Sequence, residues 1–402
     1  MKYKTIQLSH TEEIMQKYGV NSLMAKVIES KKLDQTQFKA FMDPHLIYHD
    51  FSLFEESDET LERIEEAIEN KEKICIYGDY DCDGILATAI LVQAFHERGI
   101  EVGYHIPNRF TDGYGLNTTR VEQMAEKGYS LIITVDNGIK AFDAVEKAGE
   151  LGIDVIITDH HAFDGEVPVA YSIIHTKMSP NYPFKEICGG FIAYKLAAAL
   201  LKHHDPYLFT LAAITTISDM MPLLDENRSL VRRGLEFMKQ YKYPALELLR
   251  GNREYDVTTI GFTIAPRINA FGRLPELVNP VCLVKYFLKG THPDYLEKVS
   301  QFATKINSKR QSMTTTLYKE AVTDTTSPCL FYGSEDMHEG LVGLVAGKYA
   351  REYEQPAFVM HYDSKKEIYK GSARGINGFN IYDFFKHHED LFVQYGGHAM
   401  AG

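Results

Sequence analysis

The sequence predicts an α/β fold: a mostly parallel sheet with a helical insert, joined by a long helix to a smaller α/β unit. Three observations carry this. From Lys73 onward, short β-branched runs alternate with helical stretches, the rhythm of βαβ units covered on both faces. After Gly190 the periodicity turns helical and stays so to about Leu288. The stretch from His292 to Val322 is polar on most faces and has no Gly or Pro after Pro293 at its start, as a connecting helix requires.

In chain order, residues 1–70 are polar and helical in texture and read as a lead-in. Residues 71–290 form the sheet and its helical part. The strands are the runs KICIYG, EVGYHIP, SLIITV, DVIIT and AYSII, and the helices include ILATAILVQAFHERG, KAFDAVEKAGELG, IAYKLAAALLKHH and PYLFTLAAITTISDM. Residues 291–322 are the connecting helix. In residues 323–402, PCLFYG and QPAFVMHYD read as strands around the helix GLVGLVAGKYAREY, and GSARG reads as a glycine-rich loop.

A chain of 402 residues is long enough for two domains at roughly 150 residues each. With 45% hydrophobic and 24% charged residues it is neither disordered nor a disulfide-stapled miniature. The net charge of −12 argues against a surface coated for indiscriminate duplex binding, while leaving room for a local basic cleft. No apolar run approaches a membrane span, the N-terminus lacks a secretory pattern, and the five cysteines form no close pairs. These features favour a reducing cytoplasm and disfavour structural zinc.

The densest chemistry is Gly78-Asp79-Tyr80-Asp81-Cys82-Asp83-Gly84, with acids at alternate positions directly after a strand. Such crowding repels itself unless cations bind. An EF-hand opening fails, because its twelfth position is Ile90 instead of Glu and a strand precedes it. Asp136 and Asp159-His160-His161 also end strand runs, and in a parallel sheet those ends share one edge. Asp219 closes an apolar helix and leans in from the side. Any one of these acids alone reads as a helix cap or turn residue. Together, Asp81, Asp83, Asp136, His160 and Asp219 offer mixed carboxylate and imidazole ligands suited to Mn²⁺ or Mg²⁺. Two such ions about 3.5–4 Å apart suit phosphoester hydrolysis. His161 reads as a phosphate contact or a proton donor.

Arg109, Arg267, Asn269, Arg273, Ser372 and Arg374 are phosphate-binding candidates, since a guanidinium grips two phosphate oxygens at once. GLVGLVAGKY is no P-loop: the glycine spacing is short and Tyr349 stands where Ser or Thr belongs.

In order, GDYDCDG, TVDNG, TDHH and ISDMMPL resemble the acidic motifs of the DHH phosphoesterase superfamily, and RINAFGRL, EGLVGLVAGK, GSARG and GGHAMAG resemble further signatures of its RecJ branch. The resemblance runs from about residue 45 to the end. It implies a DHH domain and a smaller DHH-associated domain flanking a cleft. It further implies a Mn²⁺- or Mg²⁺-dependent exonuclease that takes single-stranded DNA from the 5′ end, releases nucleoside 5′-monophosphates, and serves repair and recombination.

By resemblance, Asp136 bridges the ions, Asp79 and Asp159 stand behind the ligands, His161 meets the scissile phosphate, and His398 joins the arginines along the DNA path. Members of that branch usually continue past GGHAMAG into an oligonucleotide-binding barrel, so weaker strand binding is expected of a chain stopping at Gly402, and a single-strand-binding protein is a candidate partner. Two rivals stand beside this reading: a DHH phosphodiesterase for short oligonucleotides or cyclic dinucleotides, and a non-catalytic replication scaffold.

Overall fold

A computed structural model describes residues 7–33, 35–42, 45–163, 165–321, 325–397 and 400–402. All five runs expected as strands of the main sheet are strands: β1 (Lys73–Tyr77), β2 (Gly103–His105), β3 (Tyr129–Val135), β4 (Asp154–Thr158) and β5 (Ser172–Ile174). They pair in parallel in the order β2-β1-β3-β4-β5. Ile74, Ile76, Ile132, Ile133, Ile156 and Ile157 are buried, which is why these runs are continuously apolar instead of alternating.

One face carries helix Cys82–Glu97 against helices Gly189–Leu201 and Pro206–Ser218, a single apolar core that also takes in Ile74, Ile76, Leu131 and Ile133. Helix Cys82–Glu97 is apolar all round because it is enclosed all round. Helices Thr118–Glu126 and Phe142–Glu150 cover the other face, packing Val121, Met124, Val145 and Ala148 on Tyr77, Ile132, Val155 and Ile157.

The last helix of the lead-in, Ser57–Glu69, belongs to this assembly: Arg63 Nε donates to Asp154 at 2.7 Å and its Nη2 to Glu72 at 2.7 Å. Buried Lys195 is satisfied by Glu226 at 2.7 Å and tethers the lead-in by donating to the carbonyl of His49 at 2.5 Å.

The connecting helix spans Pro293–Glu320. Its first half buries Leu296, Val299, Ala303 and Ile306 in the main core, and its end packs Leu317 and Tyr318 on a second core containing Leu330, Val345, Ala346 and Tyr349. That core backs a sheet ordered β6-β7-β8, with β6 (Leu330–Ser334) parallel and β8 (Ile368–Arg374) antiparallel to β7 (Ala357–Asp363).

Here the sequence expectation needs correction: GSARG is strand, not loop. Gly371–Arg374 form the end of β8 and Gly375 follows it; Gly371 packs against Met360 and the backbone of Val359, where a Cβ would stand 2.4–2.6 Å from them. Ala373 and Gly402 exchange hydrogen bonds at 2.7 and 3.1 Å, so the chain end lies along β8. Among the described residues no helix is long and apolar enough to cross a membrane.

Candidate active site

The acids converge because each follows the carboxyl end of a parallel strand or a helix aimed at that edge. After β1, Asp81 caps helix Cys82–Glu97, its Oδ1 accepting from the N–H groups of Asp83 at 2.9 Å and Gly84 at 3.1 Å. It is thus both a helix cap and a member of the cluster. Asp83 accepts from Gly189 N–H and Gly190 N–H, both at 2.8 Å, at the start of helix Gly189–Leu201. Two helix N-termini therefore face the negative charge. Asp136 follows β3 in the left-handed region, φ 63°. The Asn137 side chain donates to the carbonyls of Tyr77 and Val135, tying that turn to β1.

Oxygens of Asp79, Asp81 and Asp136 lie within 4.8 Å of one another, as do ligand atoms of Asp83, His160 and Asp219, and of Asp136, His160 and His161. Asp79 thus stands beside Asp81 and Asp136. His160 Nε2 is 3.1 Å from Asp136, 3.7 Å from Asp219 and 3.9 Å from Asp83. Asp136 Oδ1 nevertheless makes no hydrogen bond, and neither does Asp79 Oδ1, though both are buried.

Burial and the neighbouring carboxylates push Asp136 well above the carboxylate range. Burial and Asp81 push Asp79 up to about 8 and Asp83 up to about 6, and burial with Asp83 pushes Asp219 up to about 8. Burial and the His161 charge push His160 down to about 3, a neutral ligand-ready imidazole. Unpartnered buried oxygens around a neutral imidazole are the donor set of a divalent cation, so these residues fit Mn²⁺ or Mg²⁺.

His161 is held differently. Its Nδ1 is 2.8 Å from Asp159, which also accepts from the N–H groups of His160, His161 and Ile139. Burial alone would lower its pKa, but the Asp159 carboxylate overrides this and raises it to about 9, so His161 is cationic at neutral pH. The Tyr114 hydroxyl lies 3.1 Å from His161 Nε2 and donates to the Asp136 carbonyl at 3.4 Å.

Of the phosphate-binding candidates, Arg109 lies 4.2 Å over the Tyr80 ring with its Nε unpartnered. Burial and the charges of Arg109, Arg310 and Arg374 push Arg273 down to about 9, with Asp81 acting the other way. Arg374 donates to Ser372 Oγ at 2.7 Å, bringing that pair together on β8. Two candidates are engaged elsewhere: Arg267 donates to the carbonyl of Leu249, and Asn269 accepts from Cys82 N–H at 2.7 Å, bracing the acidic turn. His398 lies outside the described residues.

Sequence reasoning missed Tyr114, Arg310 and the pair Gly189-Gly190. The adjacent glycines opening a helix were the available signal, since a Cβ at Gly189 would meet Asp136 at 2.5 Å and one at Gly190 would meet Asp83 at 2.8 Å. No local pattern marks Arg310 among the other charges of its helix.

The DHH family, N-terminal domain, matches residues 73–217. The single-stranded-DNA-specific exonuclease RecJ of Bacillus subtilis (strain 168) is 39% identical over 356 residues, 85% of this chain and 44% of that protein. The RecJ of Haemophilus influenzae is 31% identical over 407 residues, 92% of this chain and 68% of that one. A crystal structure of RecJ in complex with Mn²⁺ from Thermus thermophilus superposes with a TM-score of 0.81 at 26% identity, over 98% of this chain and 58% of that one. The chain thus spans about half the length of the Bacillus relative and the Thermus structure.

Proposed function

The chain belongs to the RecJ family, and from that premise we propose that it is a 5′-to-3′ exonuclease specific for single-stranded DNA, using two divalent ions, Mn²⁺ or Mg²⁺, and releasing nucleoside 5′-monophosphates. The observation that carries this is the carboxylate cluster at the sheet edge, in which buried oxygens of Asp79 and Asp136 have no partner.

Asp81, Asp83, Asp136, His160 and Asp219 would hold the ions, with Asp79 close beside Asp81 and Asp136. Bound there, the ions supply Lewis acidity toward the phosphoryl oxygens and lower the pKa of water. The chain's own groups do the rest. Gly189 and Gly190 N–H groups aim the Asp83 oxygens, and Asn269 fixes the turn that carries Asp79 and Asp81. Cationic His161, oriented by Asp159, contacts the scissile phosphate. Arg109, Arg273, Ser372 and Arg374 receive the terminal phosphate and the strand behind it.

The segments 1–70, 71–290, 291–322 and 323–402 are proposed as lead-in, catalytic domain, connecting helix and substrate-binding domain. Action in the cytoplasm, with a single-strand-binding protein presenting the strand, belongs to the same reading.

The test is digestion of 5′- and 3′-labelled single-stranded and duplex DNA with Mn²⁺, beside Asp136→Ala. Mononucleotides from the 5′ end of single strands, abolished in the variant, are expected. Turnover of dinucleotides alone would replace this reading with a short-substrate phosphodiesterase, and inactivity on both would replace it with a scaffold.

A further inference from the structure

His175 follows β5 and is fully buried, yet no ligand or strand role touches it. Its ring is constrained at every polar atom. Nδ1 accepts from Lys177 N–H at 3.1 Å and so carries no proton, which puts the proton on Nε2. Nε2 lies 2.9 Å from the carbonyl oxygen of His161 and donates to it. The His175 carbonyl accepts from Ser179 Oγ at 2.9 Å, and the Phe163 ring meets the imidazole edge-on at 5.1 Å. One tautomer and one orientation result.

The recipient is the turn that carries the DHH histidines. Asp159 N–H donates to the Ile174 carbonyl at 3.1 Å, fixing the start of this turn to β5, and the Asp159 carboxylate gathers the N–H groups of His160 and His161. His175 closes the far end of the same turn. A carbonyl held at that point fixes the backbone from which the His161 side chain reaches Asp159.

We infer that His175 is a positioning residue: by donating from Nε2 to the His161 carbonyl it locks the Asp159–His161 turn and keeps the His161 imidazole on Asp159, facing the carboxylate cluster. The kinetic arm of its test rests on the nuclease reading above; the spectroscopic arm does not.

Three substitutions separate the donor from mere filling. In His175→Gln the amide nitrogen falls where Nε2 stood and still donates to His161. In His175→Asn the oxygen replaces Nδ1 and satisfies Lys177, but no donor reaches His161. His175→Leu fills the space with neither.

In the metal-free protein, ¹⁵N imidazole spectra should show the Asp159-bonded His161 Nδ1 signal in wild type and His175→Gln, and its loss or shift in the other two. With Mn²⁺ and a single-stranded oligonucleotide, kcat should fall about tenfold or more in His175→Asn and His175→Leu, and the strand's KM should stay unchanged, because a misaimed group costs turnover and the arginines sit on other segments. An unshifted His161 signal in His175→Asn and His175→Leu, or a Gln variant as impaired as Leu, overturns the inference. A wild type inactive on DNA overturns the nuclease reading instead and leaves the spectra to decide this one.

Discussion

At the scale of single residues, the site stores repulsion that only cations relieve. Burial, and with it the neighbouring carboxylates of Asp83, Asp81, Asp219 and Asp79, push Asp136 well above the carboxylate range. Asp136→Asn should therefore raise the melting temperature of the metal-free protein at pH 7 while abolishing turnover. It should also shrink the gain that Mn²⁺ gives the wild type, about 2.7 kcal/mol at one hundred times Kd for a single site. Calorimetry with and without Mn²⁺ checks both signs, and an apo variant less stable than wild type would contradict the argument.

Backbone space matters as much as charge. A Cβ at Gly189 would stand 2.6 Å from Asp136 Oδ1, so Gly189→Ala should lose Mn²⁺ affinity and activity although no ligand is removed. Gly149→Ala, on helix Phe142–Glu150 with nothing within 4 Å, should gain about 0.5–1 kcal/mol in a urea titration and keep full activity.

At the scale of elements, what was legible in the sequence was what is local. The strand runs read correctly because strands buried on both faces must be continuously apolar, and the convergence of Asp81, Asp83, Asp136 and His160 was legible because a parallel sheet brings its strand ends to one edge. Partners chosen across the fold stayed hidden. Nothing around Asn269 announces that it braces Cys82, a residue 187 positions away, or that Arg267 turns to Leu249. GSARG looked like a loop because strand pairing is decided by β7, not by its own composition.

The helix Ser57–Glu69 teaches the same lesson, joining the sheet through Arg63. The Arg63 hydrogen bond holds Glu72 below its ordinary pKa, in spite of burial, with Ser130 helping. A depressed folded pKa contributes stability that is present above the unfolded value of about 4.3 and lost as pH falls through the folded one. Glu72→Gln should thus cost roughly 1.5–3 kcal/mol at pH 7. The gap from wild type should close as pH drops below 4, as read by denaturant titrations at each pH.

At the scale of the whole molecule, the proposed function requires the two sheets to keep a fixed relation, because the acids ride on the first and Ser372 and Arg374 on the second. The seat between them is glycine. A Cβ at Gly272 would stand 2.0 Å from the Tyr80 carbonyl oxygen, and one at Gly340 would stand 1.9 Å from that of Arg273. The acidic turn, helix Ala265–Arg273 and the loop before helix Val342–Tyr353 are therefore stacked backbone on backbone, and Arg273 Nη1 reaches the Gly340 carbonyl at 3.3 Å.

Backbone cannot yield as a side-chain tip can, so Gly340→Ala must push the second sheet off the first. The nearest neighbours of a Cβ at Gly340 belong to Arg273 and not to the carboxylate cluster, which should keep its geometry. The variant should then retain the Mn²⁺-induced rise in melting temperature, while KM for a 5′-phosphorylated single strand climbs about tenfold or more, since a displacement near 1 Å at a positioning group has that scale of effect. Gly347→Ala is the matched control. It lies on the same helix as the Gly340 loop leads into, meets Arg374 only at 3.9 Å, and should leave KM unchanged. If Gly340→Ala instead lost Mn²⁺ binding with KM intact, the acidic turn would depend on the second sheet for its shape, and the two sheets would form one catalytic unit instead of a metal site with a separately seated strand clamp.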